Sequence, residues 1–443
     1  MSYTPRITST PGDRRPRSGS RRFTAAGLAA LLLVAASCTS RTGATVTVTS
    51  QVTAGSPPAT SATALPRPSS GAAGRSSSSA ASSRTPPAPA PTGGVGTTAA
   101  TSPGGVPGGF VPTKLRPGQK APQFIVVSFD GVGWHEKWQY WRDIAAKVPF
   151  RFTGFLTGVY LLSDATKNKY QGPGHGVGKS SVGWNAPSDL PVEIADLNQA
   201  YRDGDEIASH FNGHFCAGDA PSGKDWSTSS WNNELDQFFA LMKNVQTNNN
   251  LPAADKLAFG PGEVIGERTP CLEGTPEALY PALTAHHMTY DSSFTRRGVS
   301  WPTQSHQYKI WQLGMAEFPV HGTSHFQITM DYNFYFSQRG GNSTGVTPAQ
   351  SAQDSAQVQA TYQDMYNATS AGNRAPLMLG NHFNQWNNSA YSQALGKFLL
   401  ANCAKPGTHC VSFRDLIAWM NIQDPAVLHQ LQQQAPEMGP PGQ

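Results

Sequence analysis

The chain has 443 residues, with 33 Lys and Arg against 28 Asp and Glu and a formal net charge of +5 at pH 7. Residues 1–37 hold six of the basic residues and one acid, so the rest of the chain carries 27 of each sign. This balance excludes an electrostatic case for nucleic acid or an anionic membrane surface as a ligand.

The N-terminus has the pattern of an export signal. Paired arginines precede a short apolar run over 25–36, which is typical of a signal peptide and short of the ~20 apolar residues that span a bilayer. Residues 34–38 are similar to a bacterial lipobox that ends at Cys38, the residue that would carry the lipid. We therefore expect a signal peptide with a lipobox over 1–38. The protein would be exported and lipid-anchored on the outer face of the cell membrane, with plain secretion as the alternative.

A change of composition separates a linker from a globular domain. Residues 39–118 are rich in Ser, Thr, Ala, Gly and Pro and cannot offset their ordering entropy by burial, which predicts a disordered tether. A domain of roughly 300 residues, over 119–425, carries most of the bulky apolar side chains and can bury a large core. The polar segment 426–443 is expected to be a disordered tail.

The predicted elements of the domain alternate between strands and helices. Short β-branched apolar runs predict strands, and apolar residues at helical spacing with capping residues predict helices. The strands are predicted at 124–129, 152–162, 207–209, 377–379 and 410–413. The helices are predicted at 192–202, 231–245, 275–287, 390–401 and 414–421. This alternation predicts an α/β fold with a parallel sheet, open or closed into a barrel.

Polar side chains follow several of the predicted strands. Asp130 ends the first strand, His210 and His214 follow the third, and His382 follows the strand at 377–379. The carboxyl ends of parallel barrel strands share one face, where active sites form. Two histidines four residues apart face the same way on one helical turn and can bind one divalent metal, with a carboxylate as third ligand. Each of these residues also has a non-functional interpretation when it is considered alone. Asp130 could simply form a turn, His210 and His214 could be surface residues, and His382 could be structural.

The cysteines are consistent with an exported protein. If Cys38 is lipidated, four remain, and an even number outside the cytoplasm predicts two disulfides. Cys403 and Cys410 are close in sequence and are expected to pair, which leaves Cys216 with Cys271. Free buried thiols are the alternative.

Six segments, in order over about residues 121–422, resemble motifs of the polysaccharide deacetylase family, also called NodB-like or carbohydrate esterase family 4, and in particular its chitin deacetylase-like members. The segments are Ser128–Asp130, Gly204–His214, Arg268–Cys271, Tyr290–Phe294, Pro376–His382 and Phe413–Met420. The resemblance implies a distorted (β/α) barrel with parallel strands and hydrolysis of N-acetyl groups on a glycan.

The family also implies a role for each matched residue. His210 and His214 would bind a divalent metal, with zinc expected first. Asp130 takes the position of the general base, and His382 that of the general acid that protonates the leaving amine. The resemblance further implies that Arg268 steadies the base.

The resemblance also implies that Asp291 helps to hold His382.

Two positions depart from the family pattern. The second Asp of the family, a metal ligand, is Gly131 here. Asp130 would then bind the metal itself, or a nearby residue such as His135 would complete the site, or the domain would bind glycan without hydrolysing it. The third motif also ends in Cys271 where the family has an aromatic residue.

The leading hypothesis is therefore a metal-dependent deacetylase that acts on a cell-envelope or extracellular polysaccharide of the peptidoglycan or chitin type. Its partners would be the N-acetylated glycan and, through the lipid, the membrane; we expect a monomer. The alternative is a glycan-binding lipoprotein of the same fold with impaired catalysis. A substrate-binding lipoprotein of a transporter is a third hypothesis, which the order of the motifs disfavours.

Overall fold

The computed structural model describes residues 110–439, in which nine α-helices and twelve strands form. The strands are β1 (Gln123–Asp130), β2 (Thr153–Leu156), β3 (Glu206–Ser209), β4 (Gly266–Glu267), β5 (Tyr290–Asp291), β6 (Thr295–Arg297), β7 (Thr303–Gln304), β8 (Trp311–Gln312), β9 (Met315–Pro319), β10 (Phe326–Ile328), β11 (Leu377–His382) and β12 (Thr408–Val411). The helices are α1 (His135–Ala145), α2 (Leu190–Asp203), α3 (Thr228–Asn248), α4 (Pro276–Ala285), α5 (Asp331–Arg339), α6 (Pro348–Ala371), α7 (Trp386–Asn402), α8 (Phe413–Asn421) and α9 (Pro425–Gln432).

The main sheet is built around β1. All eight residues of this strand are buried, as expected for a parallel strand that helices cover on both faces. The strand order is β11-β1-β2-β3-β4-β5-β8-β7, with β12 also paired to β1, and every pair except β7–β8 is parallel. The sheet curls into a half-barrel, which confirms the predicted distorted (β/α) barrel.

A second sheet of three short strands lies beside the first, in the order β10-β9-β6. Just after β10, Met330 forms a parallel bridge with Gly380 of β11. The residue that follows Met330 is therefore brought to the same edge as the end of β11.

Local sequence signals account for the ends of several helices. Thr275 caps α4 by accepting from the backbone N–H of Ala278, and Gly204 ends α2 with a left-handed φ of 85°. Helix α4 ends at Ala285, two residues before its predicted end. None of the helices in the described part of the chain is long and apolar enough to cross a membrane.

Ordered residues extend beyond both predicted ends of the domain. The ring of Phe110, inside the predicted linker, lies 5.7 Å from that of Phe124, so the last linker residues pack on the domain. The predicted disordered tail instead contains most of α9, and Glu437 beyond it exchanges two backbone hydrogen bonds with Val299. Apolar contacts order the first segment, and apolar contacts together with the pairing of Glu437 and Val299 order the second. The predicted signal peptide, the lipidation site Cys38 and the linker up to residue 109 lie outside the described residues.

Candidate active site

Asp130 and His382 lie side by side at the carboxyl edge of the main sheet. The parallel register of β1 and β11 sets Asp130 opposite His382. The Nε2 atom of His382 lies 4.0 Å from the Oδ2 atom of Asp130. The Asp130 side chain is buried, and that of His382 is 25% exposed. The structure thus brings the predicted base and the predicted acid together, with the imidazole reachable from solvent.

Arg268, at the end of β4, holds the carboxylate of Asp130. Its Nη1 atom donates to Asp130 Oδ1 at 2.7 Å and to Ser128 Oγ at 2.9 Å. Its Nε atom donates to the carbonyl oxygen of Ser292 at 3.0 Å, so the fully buried guanidinium is fixed from two sides. Burial raises the pKa of Asp130, but the charges of Arg268 and two nearby histidines outweigh it, so the pKa lies below its ordinary value. Asp130 is therefore an ionised proton acceptor at neutral pH.

Asp331, which no sequence motif indicates, holds the imidazole of His382. Its Oδ1 atom lies 2.7 Å from His382 Nδ1, and its Oδ2 atom accepts from the backbone N–H of His382 at 2.7 Å. Because an ionised carboxylate only accepts, Nδ1 carries a proton and Nε2 faces Asp130. Burial lowers the pKa of His382, but the charges of Asp331 and Asp130 and the hydrogen bond to Asp331 raise it above its ordinary value.

Asp291, which the family resemblance implies as a residue that helps to hold His382, bonds to a different segment in the structure. Asp291 ends β5, and its Oδ1 atom accepts from the backbone N–H of Ser293 at 2.7 Å. In the strand order β11-β1-β2-β3-β4-β5, four strands separate it from the strand of His382, whereas the Met330 bridge sets Asp331 directly beside that strand. The sequence signal for Asp331 is weak, because the residue follows only the three residues Ile328, Thr329 and Met330, whereas Asp130 follows a longer apolar run.

His210 is oriented by the strand that follows it in the sheet. It comes directly after β3, and its Nδ1 atom lies 2.7 Å from the carbonyl oxygen of Arg268. The carbonyl accepts, so Nδ1 donates and Nε2 keeps its lone pair, the arrangement found in metal-ligating histidines. Burial lowers the pKa of His210 below its ordinary value, against the attraction of Asp130. The ring is therefore neutral at neutral pH, as a metal ligand must be.

His214 lies beside His210, but not on a helical turn as predicted. Phe211 and His214 have left-handed φ values of 52° and 55°, and the segment is a loop. Buried Glu234 holds this loop by accepting from the backbone N–H of Asn212 at 3.1 Å and from its side-chain amide at 2.9 Å. The two imidazole centroids still lie 5.1 Å apart. Burial and the neighbouring histidines lower the pKa of His214 to about 3, so this ring is also neutral.

His210 and His214 supply part of a ligand set for a divalent metal. Two neutral imidazoles at this separation suit zinc and similar ions. In the part of the chain that the structure describes, the ligand atoms of one trio lie within 4.8 Å of one another: those of His214, Cys216 and Cys271. Its two sulfur atoms form a disulfide and supply no thiolate. Asp130 does not join the two histidines within that distance, so the full ligand set of His210, His214 and Asp130 stays a prediction.

Near β1, the Gly131 position offers no ligand and His135 bonds to another side chain. Gly131 has a φ of 64° and no side chain. The Nδ1 atom of His135 lies 2.7 Å from Asp196 Oδ2, and the imidazole is 49% exposed. His135 is therefore engaged on the surface of α1.

Both predicted disulfides, Cys216–Cys271 and Cys403–Cys410, are present. The first lies against the site, since Cys216 Sγ is 3.8 Å from His214 Nδ1. It joins the loop that carries His214 to the segment that follows Arg268. The cysteine that replaces the aromatic residue of the third motif thus ties together two sides of the site.

Aromatic side chains border the site on the side of His382. The ring of Trp386, the first residue of α7, lies 5.3 Å from the imidazole of His382, and Tyr332 lies 6.4 Å from it. Trp138 and Trp231, which also lie near the motif segments in sequence, are fully buried in the core. These two rings therefore do not border the site.

The chain matches no family model and no curated protein by sequence. Solved structures that it is similar to are polysaccharide deacetylases and related proteins. A candidate polysaccharide deacetylase from Mycobacterium smegmatis has 13% identity and a TM-score of 0.42, over 75% of this chain and 99% of that one. The peptidoglycan deacetylase PdaC from Bacillus subtilis has 12% identity and a TM-score of 0.33, over 69% and 94%.

A third similar structure is a carbohydrate esterase family 4 pseudoenzyme from Bacillus anthracis. It has 10% identity and a TM-score of 0.34, over 70% of each chain. These solved structures belong to the family whose motifs the sequence resembles.

Proposed function

We propose that this protein hydrolyses N-acetyl groups on a polysaccharide. The observation that carries the proposal is the convergence of four groups at one sheet edge: the ionised carboxylate of Asp130, the imidazole of His382, and the neutral imidazoles of His210 and His214. Amide hydrolysis needs a group that takes a proton from water and a group that gives one to the leaving nitrogen.

Asp130 is the proposed base. It is buried, ionised, and fixed by Arg268, which occupies one carboxylate oxygen and leaves Oδ2 on the side of His382. A carboxylate held in this way can accept the proton of an attacking water without moving. The Arg268 contact favours this role over direct metal binding by Asp130.

His382 is the proposed acid. Its Nδ1 proton is bound by Asp331, and its raised pKa keeps Nε2 protonated over a wider range than in a free histidine. Nε2 is the atom that faces Asp130, so it lies where a leaving nitrogen can receive a proton. The two groups divide the proton transfers between them.

His210 and His214 are the proposed metal ligands, with zinc as the first expectation. A divalent ion bound there supplies polarisation of the acetamide carbonyl and a lowered pKa of bound water. The protein contributes the neutral state and the fixed orientation of both rings.

The proposed substrate is a peptidoglycan- or chitin-like polymer outside the cytoplasm. The two disulfides indicate an oxidising compartment. We further propose that the protein is a monomer, lipid-anchored through Cys38 or else secreted.

Acetate release tests this function. The full-length chain, supplied with Zn²⁺ or Co²⁺, is expected to release acetate from chito-oligomers or peptidoglycan, and His210→Ala is expected to reduce the rate at least about 100-fold. His429→Ala, which removes an exposed histidine from α9, is the matched control and should retain the wild-type rate. A wild-type rate no higher than that of His210→Ala on every such substrate would count against the proposal.

A second candidate function is glycan binding with impaired hydrolysis, and Gly131 favours it. The position has room for a side chain, because a Cβ atom there would lie 3.6 Å from Tyr160 Oη and 3.9 Å from Thr157 Oγ1. Its left-handed φ is one that Asp and Asn accept best among residues with a Cβ. The position at which the family has a metal-binding Asp thus holds a glycine here, with space left for a side chain.

Gly131→Asp is expected to tighten Zn²⁺ binding by about tenfold or more, because a carboxylate adds both a ligand and a negative charge. Gly131→Asn is the matched control, since it has the same shape and backbone tolerance without the charge. Calorimetric titration of the metal-stripped protein measures both. Equal affinities for the Asp and Asn variants would show that the side chain does not reach the ion.

A further inference from the structure

A groove runs beside the site between β10 and α5. It has a volume of about 350 Å³ and is lined by Gln327, Tyr332, Asn333, Phe336 and Ser337. Its walls are two aromatic rings, two amides and one hydroxyl, with no charged side chain among these five residues. The groove offers flat apolar surface together with neutral hydrogen-bonding groups.

The aromatic rings of the groove remain open to solvent. Tyr332 is 45% exposed and Phe336 is 57% exposed, among the most exposed large apolar side chains in the described residues. Exposure of two neighbouring large apolar side chains is unfavourable in water unless something covers them. Neither ring is used by the proposed chemistry.

A continuous aromatic strip joins the groove to the proposed acid. Phe336 lies 5.8 Å from Tyr332, Tyr332 lies 5.7 Å from Trp386, and Trp386 lies 5.3 Å from His382, measured between ring centroids. Tyr335 stacks on Trp386 at 5.2 Å with an interplanar angle of 8°, which backs the strip from the buried side. A ligand that reaches His382 can therefore extend along these rings into the groove.

We propose that this groove is a distal subsite for a further, uncharged sugar unit of the glycan whose N-acetyl group is processed at His382. The inference rests on the proposed function and adds where a sugar unit beyond the deacetylated one would bind. The C–H face of a pyranose ring packs on aromatic side chains, and its hydroxyls bond to amides and hydroxyls such as those of Gln327, Asn333 and Ser337. The absence of charge in the lining favours a neutral sugar over an anionic one.

Chain-length dependence tests the subsite. Chito-oligomers of one to six N-acetylglucosamine units are titrated against the full-length protein by calorimetry, and acetate release is measured on the same series. Phe336→Ala is expected to weaken binding and raise KM by about tenfold for the longer oligomers, on the scale of one lost aromatic contact. Binding and turnover of the monosaccharide should stay within twofold. Phe336→Trp, which keeps an aromatic ring, should restore the tighter binding of the longer oligomers.

Leu400→Ala is the control for loss of an exposed apolar side chain, because Leu400 is 38% exposed at the opposite end of the helix that Trp386 begins. A Phe336→Ala effect equal for all lengths, or none, overturns the subsite while deacetylation stands. Length-dependent binding that is lost in Phe336→Ala, without acetate release by the wild type, supports the subsite and refutes the proposed hydrolysis. A wild-type protein that binds no oligomer of the series overturns the subsite.

Discussion

Asp331→Asn is expected to lower kcat for acetate release by about 10²- to 10⁴-fold, the range for loss of general acid catalysis. Asp331 is buried and bonds both the ring and the backbone N–H of His382. Asparagine keeps the shape but brings an amide that can donate to Nδ1, which would leave His382 in the wrong tautomer. A carboxylate charge that favours the imidazolium is lost as well.

The same substitution should change the pH profile in a defined direction. As the proposed acid, His382 is active when protonated, so activity is present below its pKa and is lost as the pH rises through it. Asp331 is the largest of the influences that raise this pKa against burial. Without its charge the pKa falls, and the basic limb of the kcat profile should move to lower pH.

Asp364→Asn is the matched control, because Asp364 makes an equivalent 2.7 Å contact with Nδ1 of the exposed His321. It should leave both kcat and the profile unchanged. The measurement is kcat for acetate release between about pH 5 and pH 9, with unfolding midpoints to exclude loss of folded protein. A reduced kcat with an unmoved basic limb would mean that Asp331 acts only through packing around His382.

Much of the site could be predicted because its residues end strands with strong sequence patterns. The apolar run before Asp130 and the one before His382 have the composition of buried parallel strands, and both are strands in the structure. The ends of parallel strands meet at one edge, so residues that are 252 positions apart in sequence were expected to be neighbours. The capping residue Thr275 likewise marks a helix start that the structure has.

The segment 295–375 was not predicted because its signals are weak or local. Strands β6 to β10 have two to five residues each, too few for a periodic pattern. Helix α6 is long but rich in Ser, Gln and Ala, so its apolar face is faint, although Thr347 and Gln350 form a capping box. Asp331 lies in this segment, and the family resemblance, which implies Asp291 as the residue near His382, does not indicate it.

The backbone conformation of the loop that carries His210 and His214 could not be predicted, for a different reason. Four-residue spacing suits a helix, but buried Glu234, distant in sequence, fixes the segment as a loop with left-handed residues. The hydrogen bonds to Glu234 thus determine the backbone conformation here, and the local spacing does not. The loop still places the two imidazole rings next to each other.

Arg268→Met is expected to destabilise the protein by about 3–5 kcal/mol, because it leaves the buried carboxylate of Asp130 without its partner. Asp130→Asn combined with Arg268→Met removes both charges and should recover a substantial part of that loss. Arg142→Met is the control for an ion pair at a more exposed position, since Arg142 contacts Asp196 at 2.9 Å with 20% of its side chain exposed. Arg142→Met is expected to lower the free energy of unfolding by about 1 kcal/mol.

The pH dependence of the stability loss in Arg268→Met shows whether the lost ion pair or the lost hydrogen bonds cause it. In the wild type the pKa of Asp130 is lowered on folding, so its contribution to stability is present above the unfolded value of about 3.9 and is lost as the pH falls through the folded value. In Arg268→Met the largest influence that lowers this pKa is gone while burial remains, so the pKa rises, and the unpaired carboxylate costs more free energy at pH 7 than near pH 4, where a larger share of it is protonated. Urea unfolding at the two pH values should therefore show a smaller gap between wild type and variant at pH 4. If the gap is the same at both, and the double variant is as unstable as Arg268→Met, the lost hydrogen bonds to Ser128 and Ser292 account for the effect, and the ion pair does not hold the site together.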